Sequence, residues 1–191
     1  LGPVSGCHIN PVVSMVDVFN RDMTIHLFIE YVIVQVAGGI AGALLANTIF
    51  EYPFELSEKS RFSYGLWISE IVATAFLILV IHGCIRTGQE KAVPGAVAML
   101  VGAGYFFTSS TIFANPAVTV GRMFSNSFAG IEPRSVGPFV SFQIIGAVLG
   151  YGLVHLFYPK HQKQTLTNED TLYRRVAVID MKDFYEKREY H

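Results

Sequence analysis

Two asparagines, Asn10 and Asn115, each stand directly before a proline in surroundings that are otherwise apolar. Pro11 and Pro116 suit the first position of a helix, and an asparagine side chain suits the cap before it, so each pair reads as a helix start. A helix start leaves several backbone N–H groups and the positive end of the helix dipole aimed at whatever lies in front. In hydrocarbon that is costly, and it persists only where the break is buried in protein or lines a water-filled cavity. What the pairs themselves offer is therefore non-covalent: unpaired backbone N–H groups and a positive helix end. Glu70 is a single carboxylate inside an apolar run, and His8 and Cys7 adjoin the first pair. No His, Cys, Asp or Glu group has metal-ligand spacing, no Ser-His-Asp set is localised, and no glycine-rich phosphate loop follows a strand. Neither an enzyme nor a cofactor is expected.

The elements that must position these residues belong to a membrane protein. Of 191 residues, 51% are apolar, and the formal net charge is −1. That composition makes lipid the expected surrounding and gives no basis for nucleic-acid binding. Cys7 and Cys84 lie in apolar sequence and decide neither a disulfide framework nor a redox compartment.

An irregular entry over Leu1 to Ile9 leads to a half-length helix from Asn10 to about Asn20, too short to cross a ~30 Å hydrocarbon core. Full spans are predicted over Tyr31 to Phe50, Leu66 to Ile85, from about Val93 to Phe107 or beyond, and Val136 to Val154. No charge occurs between Lys91 and Arg122, a stretch that holds a span, a re-entrant loop and a second half-helix from Asn115. Beyond Tyr158-Pro159 the chain mixes charges of both signs, so residues 160–191 read as a soluble tail with a short helix around Asp180 to Tyr190. Arg21, Arg86, Lys91, Lys160 and Lys163 fall on one side of the membrane, against Lys59, Arg61 and Arg134 on the other, which makes the tail side cytoplasmic.

The two halves repeat one another. Placing Asn10 on Asn115 pairs Pro11 with Pro116, Ser14 with Thr119, and Asp17 with Arg122. Gln35 with Gly38 and Gly42 then answers Gln143 with Gly146 and Gly150, giving each following span a Gly-x-x-x-Gly face for close helix packing. An odd number of spans separates the half-helices, so they enter from opposite sides and their N-termini meet at the midplane. The second half-helix follows two spans and the first follows nine residues. Two further spans, roughly sixty residues, are expected before Leu1, and the opening without Met is expected to reflect an incomplete sequence.

Ser5-Gly6-Cys7-His8-Ile9-Asn10-Pro11-Val12 and Phe113-Ala114-Asn115-Pro116-Ala117 resemble the paired Asn-Pro-Ala boxes of the aquaporin and glycerol-facilitator family, the major intrinsic proteins. The first box has Val12 for Ala; the second is intact. The continuation Val118-Thr119-Val120-Gly121-Arg122, followed by Phe128 to Ile131, is most like a microbial branch. The resemblance implies an all-α membrane fold, an aquaporin-like inverted repeat with four full transmembrane helices and two re-entrant half-helices in this chain. It implies a channel domain over residues 1–159, a homotetramer, and a multi-pass place in the plasma or cell membrane.

It also implies roles. Asn10 and Asn115 present amide donors to the lumen, and the backbone carbonyls of Gly6, Cys7, His8 and Ile9 and of Thr111, Ile112, Phe113 and Ala114 form an acceptor ladder. Glu70 sits behind the second loop and accepts its N–H groups. The selectivity region is Ala103, Val118 and Arg122: Val118 stands where the family usually has Arg, Arg122 lies one turn beyond, and Ala103 falls where water-selective members carry His. These departures favour larger neutral solutes, glycerol-like polyols and undissociated arsenous acid, over strict water selectivity.

Other readings stay open. Asn-Pro pairs also cap ordinary loops, Glu70 could relay protons, and Arg122 could merely satisfy its helix end. Cys7 could admit a thiol-reactive blocker or simply pack, while His82 reads as an interfacial residue. A coupled secondary transporter and a non-conducting or truncated membrane protein are the alternatives to a passive channel for small uncharged solutes.

Overall fold

The computed structural model describes residues 2–159; Leu1 and residues 160–191, including the tail and its predicted short helix, lie outside the described residues. Within them the secondary structure is helical: α1 (Gly2–Ser5), α2 (Pro11–Asn20), α3 (Ile25–Ile49), α4 (Tyr64–Arg86), α5 (Val93–Phe107), α6 (Pro116–Arg122) and α7 (Pro133–Phe157). Helices α2 and α6 are the two half-helices, each with proline at its first position.

Three helices, α3, α4 and α7, are long and apolar enough to cross a membrane. The fourth expected span, α5, ends at Phe107, the short end of the predicted range, with 15 residues, about 22 Å of helix. A 3-10 turn at Glu90–Ala92 leads into it. Helix α3 starts well before Tyr31 because Thr24 caps it, its Oγ1 accepting the Leu27 N–H at 3.3 Å. His26 and Glu30 therefore belong to the helix, where charge alone suggested a boundary. Helix α7 likewise starts early, at Pro133.

Small residues decide which helices touch. A Cβ on Gly146 would lie 2.6 Å from the Ile71 carbonyl oxygen, and one on Gly150 2.6 Å from that of Ala75, so both glycines let α7 close onto α4. Their expected counterparts differ. Gly38 and Gly42 meet no neighbour among the described residues, and close approach on α3 is made by Gly39, where a Cβ would lie 2.6 Å from the Ala117 carbonyl oxygen. Gly121 of α6 faces the Gly39 backbone in return. Adjacent residues on a helix point about 100° apart, so the shift from Gly38 to Gly39 turns the contact from a neighbouring span onto the half-helix.

Gly39→Ala is expected to destabilise the protein by about 1–3 kcal/mol through overpacking against α6, read as a lower thermal midpoint in detergent. Gly38→Ala is the comparison, and equal losses for the two would contradict this packing.

The core follows the half-helices. Val12, Val13 and Val16 of α2 pack with Ile78 of α4 and Ala147 and Val154 of α7. Ile112 and Ala114 of the second loop pack with Ala73 and Leu77 of α4, and Phe113 packs with Ile131 and Phe139. Apolar side chains thus fix the polar loops in place from behind.

Candidate functional site

The two asparagines meet across the molecule. Asn10 Nδ2 donates to the Ala114 carbonyl at 2.8 Å, and Asn115 Nδ2 donates to the Ile9 carbonyl at 2.9 Å. Each amide thus grips the residue before the other asparagine. The side-chain oxygens work as caps: Asn10 Oδ1 accepts from Val12 N at 3.1 Å, and Asn115 Oδ1 from Ala117 N at 2.9 Å and Val118 N at 3.3 Å. An amide nitrogen carries two hydrogens, so each asparagine keeps one donor free after bracing the other loop. Asn10 is buried and Asn115 is half-buried, while Pro11, Val12, Pro116 and Ala117 are buried behind them.

Backbone strain is concentrated in the same loops and is duplicated. Gly6, Cys7 and Ile9 have φ of 68°, 54° and 50°; their counterparts Thr111, Ile112 and Ala114 have 62°, 44° and 44°. Left-handed backbone at non-glycine residues costs of order 1–3 kcal/mol each and persists where surrounding structure enforces it, characteristically at functional sites. Here it leaves the carbonyls of Gly6, Cys7 and His8, and of Thr111, Ile112 and Phe113, without a protein donor among the described residues. Each loop therefore offers a short row of free acceptors beside a free amide donor.

Glu70 holds the second loop from α4. Wholly buried, it accepts from Phe113 N at 3.0 Å on Oε1, and from Ala114 N at 2.8 Å and Gln143 Nε2 at 2.6 Å on Oε2. Gln143 also donates to Thr119 Oγ1 at 2.8 Å. In the first half Gln35 Nε2 donates to Ser14 Oγ at 3.1 Å, the same link between span and half-helix.

Beyond the second box the structure assembles a cluster that composition did not reveal. Arg61, in the loop after α3, is buried rather than a surface charge. Its Nε donates to Gly130 O at 2.8 Å, Nη1 to Ser110 O at 3.2 Å and Nη2 to Phe128 O at 3.2 Å. The Phe113 ring lies between two guanidiniums, with Arg61 Cζ 4.6 Å and Arg122 Cζ 4.2 Å from its centroid. Burial, and after it Arg122, press the Arg61 guanidinium below its ordinary value, while Glu70 acts the other way. Lys59, beside it, donates to Phe128 O at 2.7 Å. Desolvation first and Arg61 second lower its pKa.

Val118 and Arg122 share one face of α6 and line a cavity of about 350 Å³ with Gly39, Ala43 and Asn47 of α3 and Ser125. Ala103 does not join them; it is exposed on α5 and lines no part of that cavity. The α5 residue that reaches Arg122 is Tyr105, whose hydroxyl accepts from Nη2 at 3.3 Å. It lies two positions from Ala103, and the packing of Gly104 against Ile112 sets the rotation of α5 there.

His82 is buried among its neighbouring helices, with Nε2 4.0 Å from Asp17 Oδ1. His8 donates toward or accepts from Ser14 Oγ at 3.1 Å through Nδ1, and its Nε2 is 3.2 Å from Asp17 Oδ2. Cys7 beside it is half-buried and unpaired. No group of metal-ligating side chains occurs among the described residues.

Two opposed half-helices whose capping asparagines lock each other's loops, backed by a buried carboxylate, define a membrane fold built around a polar centre. A family model, Major intrinsic protein, matches residues 1–113. Aquaglyceroporin AqpS of Rhizobium meliloti (strain 1021) is 44% identical over 155 residues, 81% of this chain and 66% of that protein. Aquaporin AqpM of Methanothermobacter thermautotrophicus is 30% identical over 192 residues, 88% of this chain and 71% of its own length. The glycerol uptake facilitator protein of Bacillus subtilis (strain 168) is 21% identical over 206 residues, 97% of this chain and 74% of its own. The chain belongs to the major intrinsic protein family and is an integral membrane protein of a family of channels, not enzymes. It spans about two thirds of the length of the curated relatives it matches.

Proposed function

We propose that the protein is a passive channel for small uncharged solutes, conducting water and glycerol-like polyols. The observation that carries this reading is the reciprocal pair Asn10 to Ala114 and Asn115 to Ile9, which sets two free amide donors and two positive helix ends at one midplane level. There they hold a solute oxygen and oppose a cation. The free carbonyls of Gly6 to His8 and Thr111 to Phe113 take the solute's hydrogens on either side.

Val118 leaves the usual arginine position apolar, and Arg122, tied to Tyr105, stands one turn further out. A wider constriction follows, which favours passage of polyols and of undissociated arsenous acid. Glu70 acts as loop support: three donors already occupy its carboxylate, which leaves little room for the proton relay of a coupled transporter. Helix ends α2 and α4 face the cytoplasm with the 160–191 tail, and the channel works as a homotetramer with one pore per subunit.

Stopped-flow light scattering on proteoliposomes of the intact protein tests this with water, glycerol and arsenous acid. Rates equal to protein-free vesicles for every solute would sink the channel reading and leave a non-conducting protein; passage of water alone would sink the wide constriction. Arg122→Ala is expected to raise polyol flux relative to water by several-fold, with Tyr105→Phe in the same direction and smaller. Unchanged ratios would return Arg122 to a helix-end role.

A further inference from the structure

Both re-entrant loops are fastened at the same two points, by different residues. The carbonyl five residues before each box asparagine is already taken: Ser110 O accepts from Arg61 Nη1 at 3.2 Å, and Ser5 O accepts from the Tyr31 hydroxyl at 2.8 Å. The ring two residues before each asparagine leans on an aromatic ring of the next long helix. Phe113 lies 5.4 Å from Phe139 of α7, and His8 lies 5.5 Å from Tyr31 of α3, centroid to centroid. Tyr31 and Phe139 hold the same place in the repeat, each four residues before the glutamine, Gln35 or Gln143, that bonds its half-helix.

Position alone gives Tyr31 another meaning. It opens the charge-free run of α3 at one membrane face, where tyrosine commonly anchors a helix among the headgroups. The early start of α3 changes its setting. Thr24 caps the helix and Ile25 begins it, so Tyr31 falls in the second turn and is half-buried, with its hydroxyl on Ser5 and its ring on His8.

The first loop needs such a hold. Directly after Ser5 the backbone turns left-handed, at Gly6, Cys7 and Ile9, and strained backbone keeps its form only where its surroundings enforce it. The second loop is held from other elements by Glu70 and Arg61, both charged and both buried. Ahead of Gly6 the first loop is held from another long helix by the neutral Tyr31 hydroxyl, the weaker kind of bond. By occupying Ser5 O, Tyr31 also sets where the row of free carbonyls begins, at Gly6, as Arg61 does for the row that begins at Thr111.

We infer that Tyr31 is a positioning residue of the first re-entrant loop: its hydroxyl and ring fix the register of the Gly6 to His8 carbonyls, and with it the preference of the pore for polyols over water. A polyol must meet several acceptors of one row together, whereas water meets them one at a time, so a displaced row costs the polyol more. The effect on flux rests on the channel reading. The effect on the loop does not.

Tyr31→Phe keeps the ring and removes the hydroxyl. In proteoliposomes of the intact protein at one buffered pH, it is expected to lower the glycerol-to-water flux ratio on the order of three- to fivefold, the worth of one neutral hydrogen bond. Its thermal midpoint in detergent should stay within a few degrees of wild type. Tyr31→Leu, without the ring, should lower the ratio further. Tyr64→Phe removes an aromatic hydroxyl from the exposed start of α4 and should leave the ratio unchanged. Cys7 lies inside the loop and reports on it directly. With Cys84 replaced by alanine, labelling of Cys7 by a small methanethiosulfonate is expected to be several-fold faster in Tyr31→Phe than with Tyr31 intact. An unchanged ratio or an unchanged labelling rate in a folded Tyr31→Phe protein overturns the inference, leaving Tyr31 an interfacial anchor and the channel reading standing. If Tyr31→Phe does not fold, Tyr31→Trp, which keeps an interfacial ring and places no hydroxyl on Ser5 O, is read in its place. Absence of flux in wild type would instead remove the channel reading, and the labelling of Cys7 alone would then decide the role of Tyr31.

Discussion

Replacing Glu70 by alanine is expected to destabilise the protein by about 3–5 kcal/mol and to bring glycerol flux close to the lipid background. The carboxylate takes the Phe113 and Ala114 N–H groups and the Gln143 amide, all in a wholly buried position. Its removal leaves three donors without their acceptor, each costing about 1–3 kcal/mol, partly offset by relaxation of the loop. The loop bears left-handed backbone at Thr111, Ile112 and Ala114, so its strained form is lost once the restraint goes. Glu70→Gln should fare only partly better, because its amide would set a donor against a donor. Gln143→Leu, which removes one donor and keeps the carboxylate, should cost much less. Thermal midpoints in detergent, with flux as the second readout, check the order Ala, then Gln, then Gln143→Leu; a Glu70→Ala protein with wild-type midpoint and flux would refute the role.

That effect was legible in the sequence because its cause is local in kind. A lone carboxylate in an apolar run must find donors, and a re-entrant loop is a supply of them. The Asn-Pro boxes are legible for the same reason, since proline fixes the helix start wherever the rest of the fold lies. The limits of α5 follow from Pro94 at one end and the loss of apolar sequence at the other. What stays hidden is rotation and long-range partnership. Gly38, Gly39 and Gly42 lie within five residues, and spacing marks a small-residue face without saying which helix it meets. Tyr105 rather than Ala103 reaches Arg122 because Gly104 turns α5 against Ile112, a contact no count along the chain contains. The burial of His82 beside Asp17 is likewise hidden, as is the turn of neighbouring Arg86 toward the α7 end at Val154 and His155.

Arg61 is the largest effect that charge patterning concealed. It sits between Lys59 and Phe62 in a loop with several charges, where a basic residue ordinarily marks one side of the membrane. Its three partners lie 49 to 69 positions away, so nothing nearby announces that it turns inward. Arg61→Ala is expected to cost about 3–5 kcal/mol, since charged hydrogen bonds to Gly130, Ser110 and Phe128 are lost and the buried Gly130 carbonyl is left without a donor, while Ser110 O keeps Thr111 Oγ1 and Phe128 O keeps Lys59 Nζ. Phe113 also loses one of its two guanidinium faces, a smaller term of about 1–2 kcal/mol. The consequence extends past stability. Ser110 precedes the second loop and Phe113 is one of its acceptor carbonyls, so Arg61 restrains the loop as Glu70 does. Arg61→Lys keeps the charge but offers a single ammonium where a planar fork serves three carbonyls, and should recover less than half of the loss. The measurements are the thermal midpoint in detergent and the polyol-to-water flux ratio. A stable Arg61→Ala protein with an unaltered ratio would mean that Glu70 and the apolar core alone hold the second loop.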